Sequence, residues 1–195
     1  MSAREVHDAL HGWAARLVSL GAVVVTRLRP GLTWAEAREV GGLHGYDLTE
    51  EVAALWTWRD GVGARPGRAP AHLAPGQDFA TLDESLRRSR EYLAASRAEE
   101  RAGTAGTPWQ PHWVVAVHGH ANPLVLDGSR PGPETFRHDA QADPLVVARS
   151  TLPQRIARWH DMLDTGTWRI APDGTWDVDL SHLTEVPHQA RTDVT

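Results

Sequence analysis

The chain of 195 residues contains neither cysteine nor lysine. The lack of cysteine excludes disulfides, thiolate zinc sites and a cysteine nucleophile. The lack of lysine excludes the usual phosphate-binding loop, whose lysine contacts the phosphates. The sequence also has no Gly-x-Gly-x-x-Gly run and no Gly-x-Ser-x-Gly nucleophile elbow. We therefore predict no catalytic residues and no bound cofactor.

Long apolar runs are missing as well. No run approaches the ~20 residues that a membrane-spanning helix needs. The first residues, from Met1 to Asp8, are too polar for a secretory signal peptide. We expect a cytoplasmic protein that has no membrane partner.

Positive charge is scarce in the second half of the chain. The net charge is −5, and all 20 basic residues are arginine. Residues 1–101 carry 13 arginines and 14 acidic residues, whereas residues 102–195 carry 7 and 11. No basic stripe is visible, so we expect no direct nucleic-acid partner. A basic protein would be attracted to the second half.

Tryptophan is abundant, and two tryptophans lie in a short amphipathic helix that ends at Gly61. Asp47 is the expected N-cap, and Glu50 three residues later completes a capping box. Trp56 and Trp58 lie about 200° apart around the helix axis. We therefore expect one ring in the core and the other against a neighbouring element or at the surface.

The second half reads as strands followed by a helix. A strand begins at Trp113 and a second one ends at Asp127, with glycine, asparagine and proline between them, which is typical of a hairpin. Residues 144–150 form another expected strand. Ser150 is the predicted N-cap of the next helix, which Gly166 ends.

Further elements follow from caps and turn residues. The sequence predicts a first helix that ends near Gly21, followed by a strand or a helix exit at Val23 to Val25. Two further helices are expected to begin after Thr33 and Thr81, and the first of these two is expected to end at Gly41 and Gly42. We also expect a loop over residues 61–76 and a hairpin around Pro172, Asp173 and Gly174.

The order of these segments resembles the SUKH superfamily, which includes the Smi/Knr-type cell-wall regulators and many bacterial immunity proteins. The resemblance covers roughly residues 30–170. It is carried by the helix with Trp58-Arg-Asp-Gly61, the strand from Trp113, the run Asn122-Pro-Leu-Val-Leu-Asp127, and Ala148-Arg-Ser150 before a helix.

The resemblance implies a fold and a domain division. We expect an α+β single domain with a central, mostly antiparallel sheet of short strands and helices packed on it. The SUKH-like domain would span residues 29–183. A helical extension (1–28) would precede it, and a flexible tail (184–195) would follow it.

The resemblance also implies a non-catalytic protein that binds a protein partner, most typically an immunity protein that binds and occludes a cognate toxin. The residues expected to contact the partner are Trp58, Asp60, Gly61, His118, His120, Asn122 and Asp127. One alternative is a signalling or scaffold module for a housekeeping partner. A more remote alternative is a metal-dependent hydrolase.

The metal hypothesis rests on His118-Gly-His120, because residues i and i+2 share one face of a strand. His112, Asp127 or His138 could complete the ligand set. Gly119 and the following Asn-Pro favour a turn, where that geometry does not hold. Histidines exposed in a turn are therefore the preferred interpretation.

The nine tryptophans leave two interpretations open. Trp34, Trp58, Trp109 and Trp168 flank caps, loops or turns, where they would be half-exposed. Together with arginines they could form a protein interface, since these two residue types often dominate binding energy. The alternative is that all nine pack internally.

Overall fold

The computed structural model describes residues 2–63, 72–104, 108–119, 123–129, 132–137 and 149–179. Its helices are α1 (Ala3–Ser19), α2 (Trp34–His44), α3 (Glu50–Trp58), α4 (Leu82–Ala102) and α5 (Leu152–Asp164), and a 3₁₀ turn covers Val23–Arg27. Its strands are β1 (Gln77–Asp78), β2 (Trp113–Gly119), β3 (Leu124–Asp127), β4 (Glu134–Arg137), β5 (Ser150–Thr151), β6 (Trp168–Ile170) and β7 (Trp176–Val178). Part of the strand predicted at 144–150 and the tail at 184–195 lie outside the described residues.

The five strands β1 to β5 form one antiparallel sheet in chain order, and β6 and β7 form a separate hairpin. The molecule is therefore an α+β single domain, as predicted. The predicted hairpin from Trp113 to Asp127 is confirmed, because these two residues are paired across β2 and β3. The turn at Gly174 is confirmed too, since this residue has φ +81° between β6 and β7.

Apolar side chains cover both faces of the sheet. One face, which includes Val114 and Leu126, belongs to the main core with the helices. The opposite face carries a smaller, aromatic cluster of Trp109, Trp113, Val115, Val125 and Phe136, against which Tyr92 and Leu93 pack. Because α4 contributes to both clusters, it ties the helical layer to the sheet.

The first helix is part of the main core. The side chains of Val6, Leu10, Trp13 and Leu17 are fully buried, and α1 packs against α3 and α5. Ser2 and Glu5 form a capping box at its start. Its apolar face therefore contributes to the same core as the helices and strands between residues 29 and 179.

Several predicted helix boundaries are corrected. The N-cap of α3 is Thr49, whose hydroxyl accepts a hydrogen bond from the Val52 N–H, and not Asp47. The helix ends at Trp58, because Arg59 is already extended. Likewise, Thr151 caps α5, while Ser150 belongs to β5 and pairs with Thr135.

The second helix also differs from the prediction. It runs past Gly41 and Gly42 to His44 and ends at Gly45, which has φ +77°. Two helical glycines do not stop a helix when their own backbone stays right-handed. At Val23 the chain forms a 3₁₀ turn, neither a strand nor a simple helix exit.

In the ranges that the structure describes, no helix is both long enough and apolar enough to cross a membrane.

Candidate partner-binding site

Three residues predicted to bind a partner lie at the junction of α3 and α4. The side chain of Trp58 is only 3% exposed, and its ring is stacked on Phe79. Asp60 is 8% exposed, and its Oδ1 accepts a hydrogen bond from the backbone N–H of Leu82 at 2.8 Å. Gly61 is buried against the backbone of Ala80 and Thr81. These three positions therefore hold α3 against the start of α4.

Asp127 lies at the end of β3, where it is 8% exposed and joins three partners. Its carboxylate accepts hydrogen bonds from the Ser129 N–H at 3.1 Å and from Arg149 at 2.9 Å. The Nε2 atom of His112 lies 3.3 Å from the same group. Burial acts to raise the pKa of Asp127, but these hydrogen bonds and the nearby imidazole outweigh it and lower the pKa below its ordinary value.

His118 lies at the opposite end of β2 from His112. Six residue steps along a strand correspond to about 20 Å, so these two histidines are far apart. The disfavoured alternative, a metal site at His118 completed by His112 or by Asp127 beside it, is therefore excluded for these residues. Among the described residues no group of three or more metal-binding side chains comes together. His120, Asn122 and His138 lie outside the described residues.

A cavity of about 200 Å³ opens beside the Asp127 cluster. Its wall comes from three places in the chain: the connection from α2 to α3 with the first turn of α3, the segment leading into β2, and the turn after β3. The lining residues are Gly45, Tyr46, Asp47, Leu48, Val52, Pro111, His112, Val114 and Gly128.

The cavity combines an apolar floor with polar groups. Leu48, Val52 and Val114 are 7%, 3% and 1% exposed and supply the apolar surface. Burial raises the pKa of the Tyr46 hydroxyl above its ordinary value. The imidazole of His112 is half-exposed.

Acidic residues lie at one side of this cavity: Asp47 lines it, and Glu50 and Glu51 come just before the lining residue Val52 in α3. Asp47 and Glu50 are exposed, Glu51 is partly exposed, and none of the three forms an ion pair with another described residue. We call Asp47, Glu50 and Glu51 the acidic surface. Leu43 lies at the end of α2, four residues before Asp47 in the chain, and its side chain is 75% exposed.

The tryptophans divide between the two predicted environments. Trp58 and Trp109 are each 3% exposed, so their predicted half-exposure is wrong. Trp34 and Trp168 are partly exposed, as predicted. The guanidinium of Arg38 lies 5.9 Å from the ring centroid of Trp34, which forms one Trp–Arg pair on α2.

Sequence reasoning missed the cavity. Tyr46, Pro111 and Gly128 belong to three separate segments, and none of them stands in a recognisable motif. The sequence pattern indicates Asp47 only as a helix cap. Three acidic residues within five positions, Asp47, Glu50 and Glu51, are the sequence signal that could have identified an interaction surface.

Comparisons with known proteins give no assignment. No protein-family model matches the chain, and no curated protein matches its sequence.

Proposed function

We propose that this chain is a non-catalytic, cytoplasmic protein-binding domain of the SUKH type that acts as a bacterial immunity protein. It would bind a cognate toxin and cover the toxin's active site. The observation that carries this proposal is the acidic surface at Asp47, Glu50 and Glu51, next to a preformed cavity. The order of the sequence motifs and the α+β architecture around a central antiparallel sheet also support it.

The charge of this surface fits a basic partner. Toxins that act on nucleic acids or other polyanions carry basic substrate channels, and complementary charge both accelerates association and selects the partner. Carboxylates without an internal ion pair are available for this role, whereas Asp60 and Asp127 are already held by groups of the fold. We therefore place the interface at the acidic surface and include Leu43, which comes four residues before Asp47 in the chain.

Affinity capture tests the proposal directly. The tagged chain is used to capture partners from its native cell lysate, and the bound proteins are identified by mass spectrometry. We expect one stoichiometric protein with a basic, toxin-like domain. Co-expression of the chain should then rescue cells from that protein. Recovery of housekeeping machinery, together with a growth defect on deletion in the absence of any toxin, would support the scaffold alternative instead.

A matched pair of variants tests the placement of the interface. The double variant Glu50→Gln, Glu51→Gln removes two charges at the acidic surface. The control, Glu99→Gln, Glu100→Gln, removes two exposed charges at the end of α4. We expect the first variant to slow association with the captured partner on the order of tenfold at low salt and the control to leave it unchanged. Equal rates for the two variants would contradict this placement.

A further inference from the structure

We propose that the cavity beside the acidic surface binds a single basic side chain, arginine or lysine, of the partner protein. This inference rests on the proposed function, because it specifies which group of the partner the surface recognises. Its test with small compounds does not require the partner and can fail or succeed by itself.

The volume of the cavity restricts what it can hold. Sites for cofactors and drug-sized ligands usually have ≈ 300–1,000 Å³, whereas this cavity has about 200 Å³. It is therefore too small for a nucleotide or a cofactor. One long side chain that enters from a docked protein surface is a suitable occupant.

The chemistry of the wall selects an amphipathic occupant. Leu48, Val52 and Val114 offer apolar surface inside the cavity, and Asp47 offers an exposed carboxylate at its edge. Lysine and arginine have this same division, because they bury a methylene stem while the charged head stays near water. An aliphatic side chain would leave Asp47 without a partner, and an acidic one would be repelled by it.

Two of the nearby basic groups already have acidic partners. Arg149 is bound by both Asp127 and Glu134 at 2.9 and 3.2 Å, so its charge is compensated. His112 lies against Asp127. The charge of Arg90 acts on the Tyr46 side of the cavity.

The helix dipole is offset as well. The positive N-terminal end of α3 follows Thr49, and Glu50 and Glu51 stand in its first turn. Among the lining residues, Asp47 supplies a carboxylate, and the basic His112 already lies against Asp127, so the site favours a cation.

Blocked amino acids provide the test. The ¹⁵N-labelled protein is titrated with N-acetyl-arginine methylamide and with its lysine counterpart, and the amide shifts of Gly45, Asp47 and Gly128 are followed. The comparison compounds are the citrulline analogue, which is a neutral isostere of arginine, and the norleucine and glutamate analogues. We expect saturable millimolar binding of the two cations and weaker binding of all three comparison compounds.

Variants test the contribution of the Asp47 charge to binding separately from that of the apolar wall. Asp47→Asn should weaken arginine binding by roughly two- to fivefold and leave norleucine unaffected, as expected for an exposed ion pair. The control Glu99→Gln should change neither the binding of arginine nor that of norleucine. If citrulline or norleucine binds as well as arginine, or if glutamate binds better, the inference is overturned. Absence of shifts at these amides would overturn it too, even if a protein partner had been captured.

Discussion

The carboxylate of Asp60 accepts a hydrogen bond from the backbone N–H of Leu82, 22 residues later in the chain, at 2.8 Å. Leu82 is the first residue of α4, where backbone N–H groups lack partners within the helix. Thr81 caps the same helix through the Glu84 N–H. Two side chains from different parts of the chain thus complete the start of α4, and the Trp-Arg-Asp-Gly segment acts here as a structural link.

Removal of this link should destabilise the protein. We expect Asp60→Ala to lower the free energy of unfolding by about 1–3 kcal/mol, because a buried N–H group loses a charged acceptor. Asp60→Asn keeps an acceptor oxygen and should cost less. Urea unfolding followed by tryptophan fluorescence measures both variants.

The exposed Asp47 supplies the control. Asp47→Ala should stay within about 0.5 kcal/mol of the wild type, since it makes no cap and no ion pair with a described residue. If Asp60→Ala left stability unchanged but reduced partner binding, the interface role first predicted for Asp60 would be supported instead.

A second prediction concerns Gly61, whose φ is +81°. A Cβ atom at this position would lie 2.7 Å from the backbone carbon of Ala80, which is too close for any side chain. Gly61→Ala should therefore lower the unfolding free energy by roughly 2 kcal/mol or more, from backbone strain and overlap together.

Gly12 is a glycine at which a side chain should be tolerated. Thermal unfolding of Gly12→Ala and Gly61→Ala compares the two positions. Gly12 lies in the middle of α1, and a Cβ atom there would meet nothing within 4 Å. Gly12→Ala should stabilise the protein by about 0.5–1 kcal/mol, since alanine favours a helix over glycine. A similar change in both variants would show that local geometry does not decide the effect.

Local signals predicted much of the fold. The capping box of Thr33 and Glu36 is present, and the apolar stripe of α1 is buried from Val6 to Leu17. These features depend on neighbours within a few residues, so the sequence contains the information directly.

Positions with two successive candidate caps were decided by tertiary contacts. Ser150 precedes Thr151, and either can cap a helix. The hydroxyl of Thr135 donates to the Ser150 carbonyl oxygen, and β5 pairs with β4 there, so the strand retains Ser150 and the helix begins after Thr151. The pairing partner is 15 residues away, and no local pattern indicates it.

The candidate site could not be predicted for the same reason. The sequence around Asp60 is typical of an exposed polar segment. In the structure Asp60 is buried, where it accepts a hydrogen bond from the Leu82 N–H. The cavity forms only where the segments around Tyr46, His112 and Gly128 meet. Its position depends on how the turn after β3 meets α3, where Gly128 faces Val52, and residue spacing does not show this.

A third prediction concerns Ser89, which joins α4 to the sheet. Its hydroxyl donates to the Ser85 carbonyl at 2.7 Å and accepts from the Val115 N–H at 2.9 Å. Val115 borders the irregularity in the pairing of β2 with β3. Ser89→Ala leaves this buried N–H without its acceptor and should cost about 1–3 kcal/mol.

Hydrogen exchange makes the test specific. The Val115 amide should exchange faster in Ser89→Ala by more than the loss of global stability accounts for. The control Ser19→Ala removes an exposed hydroxyl that bonds only its own helix and should change stability by less than about 0.5 kcal/mol. Unchanged protection at Val115 would contradict the role assigned to Ser89.

The last prediction follows from the lowered pKa of Asp127. A carboxyl group whose pKa is lower in the folded state binds protons more readily when unfolded, so it stabilises the fold above its unfolded pKa. That stabilisation is lost as the pH falls from about 4 through the folded pKa. The wild type should therefore lose stability in this acidic range partly through Asp127.

The variant Asp127→Asn isolates this contribution from those of other carboxyl groups. It should be less stable than the wild type at pH 7, because Arg149 and His112 lose their charged partner. The difference should shrink as the pH falls below about 4, where the wild-type carboxyl group becomes protonated. Urea unfolding of both proteins from pH 2 to 7 measures the difference. A constant difference over that range would mean that the ionisation of Asp127 is not linked to folding, and that the loss arises from packing alone.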